Sequence, residues 1–288
     1  MKVYFRWLFV FFALPQVVFF SCNPEEQEPA YVTFEGFNFA ADPSEGSSSS
    51  DIENVWVFAD EVFLGVYDLP ARIPMLLSGP TALRFEAGVK ENGLSSLPNI
   101  YPFYEAVNRD VELIPGETIA IGRQNIGYRN DVVFGFIEGF EPNEARVYNS
   151  VLIGGDPIDT TTESIFEGQA SGVIRLSDTN AVVEILADPV FEEIFTQAET
   201  PRLWLEMDFR SEALALVGIS GTNRDGFEFR AFDPGFVARE EWTKIYFNLS
   251  VLYANNRTEI FQTGIASILP EGLTEADIFL DNIKLLYR

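Results

Sequence analysis

The run LWLEMDFR at 203–210 constrains the fold most. In an extended chain Leu203, Leu205, Met207 and Phe209 share one face, and Trp204, Glu206, Asp208 and Arg210 share the other. The same two-residue period returns in KIYFNL, where Ile245, Phe247 and Leu249 oppose Lys244, Tyr246 and Asn248. It returns again in 226–232, with Phe227, Phe229 and Ala231 opposite Glu228 and Arg230. Alternation of this kind belongs to antiparallel strands with one face on a core and the other in water. Upstream, Tyr31–Ala41 reads as a strand and DPSEGSSSSD (42–51) as a flexible loop. From Val55 onward, short β-branched and aromatic runs are broken at Asp60-Glu61, Gly65, Leu69-Pro70, Gly79-Pro80 and Asn92-Gly93, the punctuation of a small sandwich. Val111–Ile121, turning at Pro115-Gly116, closes that unit. The expected class is all-β with one short helix, DPVFEEIFTQAE (188–199). There Asp188 caps, Pro189 opens the helix, and Val190, Phe191, Ile194, Phe195 and Ala198 form the apolar stripe.

Composition narrows the chemistry. The chain has no histidine, which removes the commonest general base and metal ligand and excludes Ser-His-Asp, Cys-His and ordinary zinc catalysis. Its 44 acids stand against 19 Lys and Arg, a formal charge of −25, so nucleic acid is not an expected partner. An acidic chain offers oxygen ligands for Ca²⁺, although most of its acids are expected to be solvated.

Cys22 is the single cysteine, which excludes disulfides. Ahead of it stand Lys2 and Arg6, an apolar run from Leu8 to Phe20, and the small Ser21. That is the layout of a secretory signal, too short and too interrupted by Pro15 to span a bilayer. The stretch 1–22 resembles the signal peptide and lipobox of bacterial lipoproteins, which implies that Cys22 is diacylated and becomes the mature amino terminus. Glu25, Glu26 and Glu28, in the polar tether 23–30, resemble the surface-export signal of Bacteroidetes lipoproteins. The resemblance implies a membrane partner and an outer-membrane location. An ordinary signal peptide with an incidental Cys22 is the alternative.

Two further resemblances follow. Residues 52–122 resemble small Ig-like envelope domains of the PEGA type, placing a small Ig-like β-sandwich over 31–124. FIEGFE (136–141), LWLEMDF, EWTKIYFNL and IFLDNIKLLYR (278–288) together resemble carbohydrate-binding, galactose-binding-like jelly rolls, placing a jelly-roll β-sandwich over 130–288. The resemblance implies a non-catalytic binding role, with a glycan as first expectation and a structural or assembly role in an envelope complex as the competitor.

The chemistry-bearing candidates are few. Asp281 falls on one face with Phe279, Ile283 and Leu285 if its strand is regular, and a buried carboxylate needs partners. By resemblance it would meet Glu138 and Glu141 at a structural Ca²⁺; a bulge or backbone donors would serve instead. EMDFRSE (206–212) resembles the E-x-D-x-E strand of a jelly-roll glycosidase family, with Arg210 where the second glutamate should stand and Glu212 about 20 Å beyond Glu206. A solvated face of mixed charge is the plainer reading. Trp204, on the polar face of its strand, is the candidate exposed ring for ligand binding.

Overall fold

The computed structural model describes residues 28–94, 96, 98–196 and 200–288. Cys22, Glu25 and Glu26 lie outside these residues. The described chain is built almost wholly from strands, as the alternation implies.

The amino-terminal sandwich has two sheets. The first has the order β4 (Ala71–Met75), β1 (Ala30–Phe39), β8 (Thr118–Ile126), with β1 and β8 parallel. The second runs β3 (Val62–Asp68), β2 (Asn54–Ala59), β5 (Gly79–Lys90). The long β5 pairs one half with β6 (Pro98–Ile100) and the other with β7 (Val107–Leu113). Val32 and Phe34 of β1 meet Val55 and Val57 of β2 and Leu83, Phe85 and Ala87 of β5, all buried. Phe34 stacks on Phe85 with centroids 4.8 Å apart.

The carboxy-terminal sandwich also has two sheets. One runs β11 (Asp159–Thr161), β12 (Ser171–Ser177), β20 (Glu275–Tyr287), β15 (Leu203–Ser211), β18 (Arg239–Asn248), and β9 (Val133–Glu138) pairs the far end of β20. The other runs β10 (Ser150–Ile153), β13 (Val182–Leu186), β19 (Thr258–Ile268), β16 (Ala215–Asn223), β17 (Glu228–Phe236). Leu203, Leu205, Met207, Phe209, Ile245, Phe247 and Leu249 point between these sheets, as their spacing requires.

Three expectations are corrected. Residues 188–196 are not helical: β14 (Phe191–Glu192) pairs with Phe261 and Ile260 of β19, and Glu193 takes a positive φ of 43°. The Asp188 carboxylate accepts from Asn149 Nδ2 and Ser150 Oγ instead of capping a helix. Phe191 stacks on Phe261 at 5.2 Å and Phe195 is buried without a helix, whereas Val190 stays exposed and Ala198 lies outside the described residues. The helix of the described chain is instead α1 (Ser250–Asn255). Second, the 42–51 segment is not a loose loop. It makes one 3-10 turn at Pro43–Glu45 and then lies as a strap across the carboxy-terminal sandwich. Third, the polar face of β15 and β18 is not wet, because Trp204, Tyr246 and Leu286 are buried in the core of the amino-terminal sandwich. The two sandwiches thus share packed side chains, each large one contributing about 1.5–3 kcal/mol of burial.

Candidate functional site

The covered face is assembled from cross-strand rows. The β15 register places Lys284 and Tyr246 on either side of Glu206, Asp281 and Lys244 beside Asp208, and Leu286 and Asn248 beside Trp204. Glu206, Asp208 and Lys284 are fully buried. Glu206 accepts from the Tyr128 hydroxyl and lies 3.5 Å from Lys244 Nζ and 4.0 Å from Lys284 Nζ. Lys284 Nζ donates to Ser47 O (2.7 Å) and the Tyr128 hydroxyl (3.1 Å). Asp208 accepts from Ser49 Oγ (2.7 Å) and Asn282 Nδ2 (3.1 Å). Burial pushes the Asp208 carboxyl up and the Lys284 ammonium down to about 8. Burial likewise raises the Tyr101, Tyr104, Tyr128 and Tyr246 phenols well above their ordinary range, with the Glu206 charge acting in the same direction. The strap and the amino-terminal aromatics seal this network, so it fastens the two sandwiches. Glu206 and Asp208 therefore belong neither to a solvated face nor to an open cleft. Arg210 turns away to Ser164, and Glu212 accepts from the Asp277 N–H.

The other sequence candidates have local partners. Glu138 is buried and accepts from the N–H groups of Phe140 (2.9 Å) and Val147 (2.5 Å). Glu141 accepts from the Gln169 N–H at 2.8 Å. Asp281 does not share a face with Ile283 and Leu285. Asn282 takes a φ of 49° and the β15 register slips there, so Ile278, Leu280, Ile283 and Leu285 enter the core while Asp281 leaves it. Its carboxylate accepts from Ser171 Oγ (2.7 Å), Asn282 N–H (2.8 Å) and Glu167 N–H (3.3 Å). Burial, opposed by these donors, leaves its pKa raised to about 6. Among the described residues no group of three or more His, Cys, Asp or Glu is placed to hold a metal ion. Trp204 is corrected as well: it is 3% exposed, edge-on to Tyr101 at 5.4 Å.

The accessible aromatic surface lies elsewhere. On β2, Val55 and Val57 enter the core, so Trp56 and Phe58 stand on the outer face of the sheet. Across the hairpin, Phe63 is 49% exposed and lies 5.2 Å from the Trp56 ring and 5.4 Å from the Phe58 ring. Arg84, beside Phe58 in the register, lays its guanidinium 4.0 Å above that ring and pairs with Glu61 and Glu86. Trp56 and Phe63 thus form an apolar floor bordered by a guanidinium and two carboxylates. Sequence reasoning passed over Trp56, although VWVF carried the signal: two valines on one face and two aromatics on the other.

Glu86 connects this floor to a cleft. It is the β5 partner of Trp56, and it also lines a cavity of about 580 Å³ where the two sandwiches meet. Asn99, Arg129, Arg202, Asn248 and Arg288 are among the polar residues that also line it.

No family model matches the chain, and no curated protein matches it. Among solved structures, one described as a carbohydrate-binding module of the β-sandwich superfamily is 13% identical, covering 81% of this chain and 84% of its own, with a TM-score of 0.36. A family 30 carbohydrate-binding module from a Clostridium thermocellum cellulase is 12% identical over 52% of this chain and 96% of its own, at a TM-score of 0.36. A family 29 module from Piromyces equi is 12% identical over 54% and 91%, at 0.34. At such scores the likeness does not bear on ligand or site.

Proposed function

We propose that this chain is a non-catalytic glycan-binding protein of the bacterial cell envelope, held at the membrane through lipid on Cys22, and that the Trp56–Phe63 surface receives the sugar. One observation carries the reading: two adjacent, accessible aromatic rings lie on a strand-built floor, with Arg84, Glu61 and Glu86 around them. A sugar ring offers an apolar face to stack and equatorial hydroxyls to hydrogen-bond, and this surface supplies both kinds of partner. The lipid anchor rests on the sequence around Cys22 alone.

The test uses a soluble chain beginning at residue 28, in native gels cast with a panel of neutral and acidic polysaccharides. At least one polysaccharide is expected to retard it, and Trp56→Ala or Phe63→Ala to weaken binding at least tenfold, the scale of a buried aromatic anchor. Failure of every polysaccharide to retard the protein, or variants retarded as strongly as the parent, overturns the reading.

A second reading has its own observation. Val62, Phe63 and Leu64 are all exposed on β3, an edge strand, as a self-pairing assembly edge would be. The Asp60-Glu61 turn at its tip places two acids against such pairing. A concentration-dependent dimer in light scattering, lost in Phe63→Lys, would favour assembly instead.

A further inference from the structure

The cleft beside the aromatic floor has a charge opposite to that of the whole molecule. Arg129, Arg202 and Arg288 all line it, in a chain with 44 acids and 19 cations. Arg129 and Arg288 converge on one carboxylate, Asp131, at 3.1 and 3.2 Å. Arg202 is exposed and makes no ion pair among the described residues. The neighbouring acids are already engaged: Glu86 pairs with Arg84, and Glu91 accepts from the amides of Asn99 and Asn248. The crowding is felt within the group, because burial and the charges of Arg129 and Arg202 lower the pKa of Arg288. The cavity edged by β11 and β12 offers a contrast. There Arg175 is balanced by Asp159 and Glu163, and Asp156 also lines the wall.

We infer that this cleft is an anion subsite, and that the glycan received at Trp56 and Phe63 is an acidic one whose carboxylate or sulfate ester is held by Arg129, Arg202 and Arg288. The inference rests on the glycan-binding reading for its ligand class, while the charge pattern is independent of it. Planar guanidiniums bind such oxyanions in a two-pronged manner. Glu86 belongs to both surfaces, so one chain of sugars can run from the floor into the cleft. The acidic remainder of the molecule does not forbid this. At physiological ionic strength charges beyond about 8 Å are largely screened, whereas the cleft arginines would be in contact.

The experiment compares binding of the residue-28 chain to polygalacturonate and to its methyl ester, and to κ-carrageenan and agarose, at 0.15 M salt. The acidic member of at least one pair is expected to bind at least tenfold more tightly. Preference for polygalacturonate identifies a carboxylate, and preference for κ-carrageenan a sulfate ester. Arg202→Ala and Arg129→Ala are each expected to shrink that preference severalfold without lowering the melting temperature. Equal affinity within both pairs, or a preference untouched in both variants, overturns the anion subsite. Trp56→Ala separates the two readings. If it abolishes binding of neutral and acidic glycans alike while no acidic preference exists, the floor stands and the subsite falls. If an arginine-dependent preference persists in Trp56→Ala, the subsite stands and the floor falls.

Discussion

Asp281 shows what a single residue can reveal and conceal. A carboxylate among hydrophobes was visible in the sequence as an anomaly; its solution was not. The positive φ of Asn282 reverses the alternation, and donors from Ser171 and Glu167, distant in sequence, satisfy the acid. No spacing rule encodes those loop contacts. The residue also has a measurable signature. Its pKa is raised to about 6 in the folded chain, above the ordinary carboxylate range. Between about pH 4 and 6 the folded state therefore keeps a proton that the unfolded state has released, and the stability associated with that proton is lost as pH rises through about 6. Lys284, lowered to about 8, acts in a higher window: its penalty is relieved as pH climbs from about 8 towards the ordinary lysine range. Urea unfolding of Asp281→Asn should lose roughly 2–3 kcal/mol of the parent's decline in stability between pH 4 and 6.5. An unchanged slope in that window would show that Asp281 titrates normally.

At the scale of elements, the strap at 42–51 differs most from its composition. Four consecutive serines read as a flexible linker, yet Ser47 and Ser49 donate to Glu167 and Asp208. Asp51 N–H donates to the Tyr246 hydroxyl at 2.9 Å. Gly46, at φ 77°, lets the strap descend onto the sheet; a Cβ there would sit 3.0 Å from Ile137 and 3.1 Å from Lys284. Small hydroxyl residues are what a strap over buried charges requires, but the same composition serves a loose loop, so the sequence does not distinguish them. Ser49→Ala removes a donor from a buried carboxylate and is expected to cost about 1–3 kcal/mol. Gly46→Val should cost at least as much. Chemical denaturation measures both; losses below about 0.5 kcal/mol, the usual range for exposed sites, would mean that the strap does not fasten the sandwiches. The 188–196 segment teaches the reverse lesson. Its capping signals and apolar stripe were genuine local preferences, and pairing of Phe191 with the edge of β19 overrode them.

For the whole molecule, the period-two pattern was sufficient to assign an all-β chain and to orient β15 and β18 correctly. It was insufficient to say what covers each face. A polar face reads as wet unless a second body is known to lie on it, and that body is assembled from residues more than a hundred positions away, such as Tyr101 and Tyr104 against Tyr246. For this reason Trp204 looked accessible and is buried, while Trp56, which drew no attention in the sequence, borders solvent. The proposed function follows from that exchange: with the face around Trp204 occupied by the amino-terminal sandwich, the sugar site we propose lies on the outer surface of β2 and β3. Indole ¹H–¹⁵N spectra recorded during titration with a retarding polysaccharide test this most directly. The Trp56 resonance, assigned by its loss in Trp56→Phe, is expected to shift progressively while that of Trp204 stays fixed. A shift confined to Trp204, with Trp56 unmoved, would contradict the account.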